Sequence, residues 1–127
     1  MKNTLLVGVF FAATAVILGA FGAHSLKAVL SPEHLQTFET GVRYQFYHAF
    51  ALIIVFLLAQ HLPLSSQRFL RWSAWCFAVG ICLFSGSIYV LACRDLLPFS
   101  VYWVGPFTPF GGAFFIGGWG LLARAAL

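Results

Sequence analysis

The chain has 127 residues, of which 61% are hydrophobic and 8% charged. Soluble domains carry about 25% charged residues to cover a hydrated surface, so a soluble enzyme and a disordered tail are both excluded and a single membrane-embedded domain is expected. The net charge of +4 comes from Lys2, Lys27, Arg43, Arg68, Arg71, Arg94 and Arg124 against three acids; these basic residues stand singly or in one pair between apolar runs, which excludes nucleic acid as a partner.

A hydrocarbon core about 30 Å thick needs about 20 apolar residues per helix. The first such run covers residues 4–22. Lys2, an apolar stretch and Ala20-Phe21-Gly22 also fit a signal peptide and its cleavage site; the expectation is a retained membrane helix. Within it Gly8, Ala12, Ala15, Gly19 and Gly22 recur at alternating four- and three-residue steps on one face, the pattern that lets helix backbones approach closely in lipid.

Ser31-Pro32-Glu33 reads as a helix start: Ser at the N-cap, Pro in the first turn, an acid at the positive end of the dipole. Leu35, Phe38 and Val42 then share a face, so residues 32–42 are expected to form a short interfacial amphipathic helix. Gly41 is the expected bend between this helix and the second span, residues 44–60. Glu39 and Arg43 are spaced to pair and to hold the arginine near the headgroups.

The third span covers residues 72–91, with Ser73, Cys76, Gly80 and Ser87 along one line; Trp72 and Trp75 mark an interface beside Arg68 and Arg71. Cys76, Cys82 and Cys93 form no CxxC pair, and Cys76 and Cys82 would stand about 9 Å apart along one axis, too far to bridge. The aromatic stretch Phe99, Tyr102, Trp103 and Phe107 lies between Pro98 and Pro106 and reads as an interfacial belt. Thr108-Pro109 is expected to start the fourth span, residues 109–123, which carries Gly111, Gly112, Gly117, Gly118 and Gly120 for packing. No strand precedes these glycines and no lysine follows, so they are not a nucleotide loop.

Four spans place Lys2, Arg68, Arg71 and Arg124 on one side. Lys27, Arg43 and Arg94 lie opposite, with Glu33, Glu39 and Asp95. Acids count little in the positive-inside rule, so both termini are expected in the cytoplasm.

The polar residues gather toward one membrane face: His24 closing the first span, Arg43, Tyr44, Gln45 and His48 opening the second, Ser85, Ser87 and Tyr89 late in the third, and Thr108 before the fourth. His48 is placed about one turn inside. Polar groups in a bilayer are costly and raise a functional question by default. One reading is a structural hydrogen-bond network between helices. The other is a lipid, quinone, haem or proton-handling site, the haem version using His24 and His48 as axial ligands. His34 and His61 lie in loops on opposite faces, so the four histidines build no metal cluster. Asp95 beside Arg94 reads as a solvated loop pair. No buried carboxylate pair, nucleophile with its base, or zinc-ligand spacing is present, so the reading is non-enzymatic, with no cofactor. No helix carries a full-length polar stripe, so a transporter subunit would have to line its path between copies.

Gly19-Ala20-Phe21-Gly22-Ala23-His24, Tyr44-Gln45-Phe46-Tyr47-His48-Ala49, Phe84-Ser85-Gly86-Ser87-Ile88-Tyr89, Thr108-Pro109-Phe110-Gly111-Gly112 and Gly118-Trp119 occur in this order. Together they resemble the YgdD-type small bacterial inner-membrane proteins, the domain of unknown function 423, to which eukaryotic transmembrane-protein-256-like chains are similar. Phe110 departs from the family's usual aliphatic residue. The resemblance spans essentially the whole chain and implies a multi-pass plasma-membrane protein without supplying a catalytic residue. The expectation is thus an all-α integral membrane protein, a four-helix transmembrane bundle whose partners are membrane lipids, further copies of itself or other membrane proteins.

Overall fold

The computed structural model describes residues 1–127. Four helices carry almost the whole chain: α1 (Lys2–His24), α2 (Pro32–Ala59), α3 (Leu64–Ala92) and α4 (Phe107–Ala126). There are no strands. Length and apolar composition make α1, α2 and α3 each able to cross a membrane. The 20-residue α4 is diluted by five glycines and Arg124, but it packs closely against α3. The protein is an all-α membrane bundle.

Each helix runs antiparallel to the one before and packs chiefly on its chain neighbour: α1 on α2, α2 on α3, α3 on α4. The small-residue stripes make these contacts. Gly8, Ala15 and Gly22 are the buried residues of α1, and a Cβ on Gly8 would stand 3.1 Å from both the Ala49 carbonyl and the Leu52 Cβ of α2. At Gly111 the α4 backbone lies against the α3 backbone, and an added Cβ would come within 2.7 Å of the Phe84 Cα. Large side chains fill what remains: Leu52, Val55, Leu70, Phe77, Ile81, Phe115 and Leu122 form one core among α2, α3 and α4. A smaller cluster of Leu26, Leu30, Phe38 and Ala92 closes the end that carries the α1–α2 connection.

Two expected boundaries move. Residues 32–42 are helical, but they are the first turns of α2, which runs unbroken through Gly41. Gly41 serves a close contact instead of a bend, because a Cβ there would meet the Tyr89 ring at 2.7 Å and Ile88 at 3.0 Å. Ser31 does cap α2, its Oγ accepting the His34 N–H at 3.2 Å. Thr108 does not cap α4. The helix begins at Phe107 after Pro106, which places Pro109 in the first turn, where a missing N–H costs no helical hydrogen bond.

Candidate functional site

The register of α1 against α2 fixes the depth of every polar residue. Gly22 faces Phe38, Gly8 faces Ala49 and Leu52, and Gln45 reaches Phe11 and Thr14. His48 therefore lies level with the middle of α1, at mid-bundle, and not one turn inside a face. The reason is that α2 starts at Pro32, so residue 48 is near the centre of a 28-residue helix.

Gln45 ties three helices. Its Nε2 donates to the Phe11 carbonyl at 2.9 Å and to the Thr14 hydroxyl oxygen at 2.8 Å, both on α1. Its Oε1 accepts the Tyr89 hydroxyl of α3 at 2.6 Å. Thr14 can accept because its own proton goes to the Phe10 carbonyl, 2.9 Å away. Both amide protons and the amide oxygen are thus used, as a buried glutamine requires.

His48 joins α2 to α4. Nδ1 lies 2.7 Å from the Tyr44 carbonyl, which can only accept, so Nδ1 carries the proton. Nε2 stands 3.2 Å from the Trp119 indole N–H, which can only donate, so Nε2 offers its lone pair. The two partners together specify the neutral Nδ1–H tautomer. The ring stacks on Phe115, centroids 3.4 Å apart and planes within 5°, while Phe77 packs at 5.6 Å.

Hydroxyls complete the set. Ser85 donates to the Gly41 carbonyl at 2.7 Å, joining α3 to α2. Ser73 donates to the Gly118 carbonyl at 2.8 Å, and Ser87 and Thr108 share a hydrogen bond, both joining α3 to α4. No buried side-chain nitrogen or oxygen lacks a partner.

The expected residues divide in two. Gln45, His48, Ser85, Ser87, Tyr89 and Thr108 belong to the interhelical network. Tyr44 lends it a carbonyl and packs its ring on Phe84, centroids 4.8 Å apart. His24 and Arg43 stand outside. His24 is the exposed last residue of α1, about 18 Å from the level of His48 along the axis, so the two imidazoles cannot serve one haem. Arg43 is exposed and does not pair with Glu39; the two line an open groove of about 250 Å³ with Gly19, Gly22 and Phe38. His34 Nδ1 lies 3.2 Å from the Asp95 carboxylate, so Asp95 closes the α1–α2 end and does not pair with Arg94. The Arg94 guanidinium donates to the Leu91 carbonyl at the end of α3.

Three members escaped the sequence reading: Thr14, Ser73 as a donor to Gly118, and Trp119. Trp119 had half a signal. A tryptophan well inside a membrane helix, away from the interfacial belt, needs an acceptor for its N–H, but the sequence placed His48 near a face and so did not offer it as that acceptor.

This fold defines an integral membrane protein whose closely packed helices are also joined by interhelical hydrogen bonds. Residues 18–112 match the family model described as "Protein of unknown function (DUF423)". The chain belongs to that family. It is 39% identical to the UPF0382 membrane protein YwdK of Bacillus subtilis (strain 168), covering 100% of this chain and 98% of the relative. A UPF0382 membrane protein of Haemophilus influenzae is also 39% identical, over 97% of this chain and 93% of its own length. UPF0382 membrane protein SH2409 of Staphylococcus haemolyticus is 34% identical, over 96% and 93%. No solved structure matches.

Proposed function

We propose that the protein is a non-enzymatic contact protein of the bacterial inner membrane, with both termini in the cytoplasm. Its polar interior holds one helix arrangement, and its outer surface meets lipids, further copies or other membrane proteins. The observation that carries this reading is the closed state of the network. Gln45 and His48 are 3% and 5% exposed, their polar atoms are taken by protein groups, and of the network's side chains only Ser87 borders one of the five principal grooves, the one beside Trp103 and Phe107. A buried polar network that is satisfied throughout specifies a unique packing. Each buried side-chain polar atom already has a protein partner, so a small molecule would have to displace one of these bonds.

The orientation is supported by the end of the bundle where Lys2, Arg68, Arg71 and Arg124 gather, which the positive-inside rule assigns to the cytoplasm. Large apolar residues cover the outside, among them Phe10, Ile17, Phe110 and Ile116, as a lipid- or protein-facing surface requires.

Native mass spectrometry on protein extracted gently with its own lipids tests the reading. Additions of lipid or protein mass, unchanged in His48→Phe, are expected. A stoichiometric small-molecule mass that disappears in a folded His48→Phe protein would overturn it.

A further inference from the structure

One end of the bundle combines charge, aromatic surface and an apolar trough. Arg68, Arg71, Trp72 and Trp75 line an open groove of about 500 Å³ on α3. The two indoles stand edge to face, centroids 6.1 Å apart, and each is more than half exposed. Both arginines are exposed, and neither has a carboxylate within salt-bridge distance. Glu33, Glu39 and Asp95 are all at the opposite end, so no acidic side chain neutralises the pair.

A second groove of about 210 Å³ continues from the first. Arg71 and Trp75 border both, and Asn3, Thr4, Val7, Leu52, Ala74 and Ala78 complete the second. From Arg71 it runs between α1 and α3 toward Ala78, which lies about 10 Å deeper along the helix axis. Helical side chains lean toward their own N-terminus, so both guanidinium groups point out of the hydrocarbon and toward the headgroup level.

We propose that Arg68, Arg71, Trp72 and Trp75 form a binding site for one anionic phospholipid, its phosphate held by the two guanidinium groups and an acyl chain laid in the α1–α3 trough. Guanidinium forks match phosphate oxygens in charge and geometry. Indoles favour the boundary between headgroup and acyl chain, and basic pockets between membrane helices suit anionic headgroups. A soluble phosphate would use the arginines alone; the adjoining trough of Val7, Ala74 and Ala78 is what assigns a lipid. The site lies on the side proposed above to be cytoplasmic. It rests on the contact-protein reading, for which it names one partner.

The test is native mass spectrometry of the purified protein in neutral detergent. Equimolar phosphatidylglycerol and phosphatidylcholine with identical chains are added. One retained phosphatidylglycerol is expected, preferred by about tenfold, with the preference falling to near unity in R68Q/R71Q. R124Q, at the same end but with its guanidinium over Phe69 and outside the groove, should keep the preference, which separates the groove from the general charge of that end. Equal retention of the two lipids, a preference that survives R68Q/R71Q, or its loss in R124Q overturns the site. Displacement by millimolar inorganic phosphate overturns the lipid assignment in favour of a soluble anion. If protein-mass additions persist while lipid selectivity is absent, this site fails and the contact reading stands.

Discussion

Polar groups occur in this bundle in two opposite conditions. At mid-depth Gln45 and His48 are buried, and each hydrogen-bonding atom has a protein partner. At the α3 start Arg68 and Arg71 are exposed, with no carboxylate paired to them. The contrast separates two uses of polarity in a bilayer. Inside, where water is absent, a polar atom must be answered by another helix, and the answer fixes the packing. At the rim, an unanswered charge remains free to meet a partner. Depth alone does not mark a functional site.

The contrast can be broken from the inside first. Gly111→Val forces two branches into the Phe84 backbone, which cannot move as a side chain could. We expect a loss of about 3 kcal/mol or more, read as loss of monodisperse folded protein in detergent. Gln45→Leu removes the group that joins α1, α2 and α3, taking the acceptor from the Tyr89 hydroxyl and the donor from the Phe11 carbonyl, and should cost about 2 kcal/mol in an unfolding titration. His48→Phe keeps the stack on Phe115 and orphans the Trp119 N–H, for about 1 kcal/mol. At the rim, R68Q/R71Q should leave the unfolding midpoint unchanged while changing lipid selectivity. If the rim variant unfolds the bundle, or Gln45→Leu leaves it unaffected, the division between the two regions is lost.

Much of the fold was legible in the sequence because its signals are local. Apolar runs of membrane length, the Ser31-Pro32 start and the spacing of Gly8, Ala15 and Gly22 each depend on neighbours in the chain or on a single helix face. The depth of His48 was not local. It follows from where α2 begins, and the polar residues between His34 and Arg43 suggested a separate surface helix when they are the opening turns of a long one. Thr108 illustrates the same limit, since cap chemistry and a bond to Ser87 are equally available to a threonine near a helix start. Tertiary proximity decided it. His24 and His48 looked alike as histidines near helix ends, but antiparallel register separates them by most of the half-bundle.

The claim that the mid-bundle network is structural is tested most directly by a double-mutant cycle on His48 and Trp119. The measurement is unfolding free energy in detergent for His48→Phe, Trp119→Phe and the pair. The account predicts an interaction energy of about 0.6 kcal/mol, the average for interhelical hydrogen bonds in membranes, and no more than about 1.7 kcal/mol. Strict additivity, with neither single variant destabilised, would contradict it.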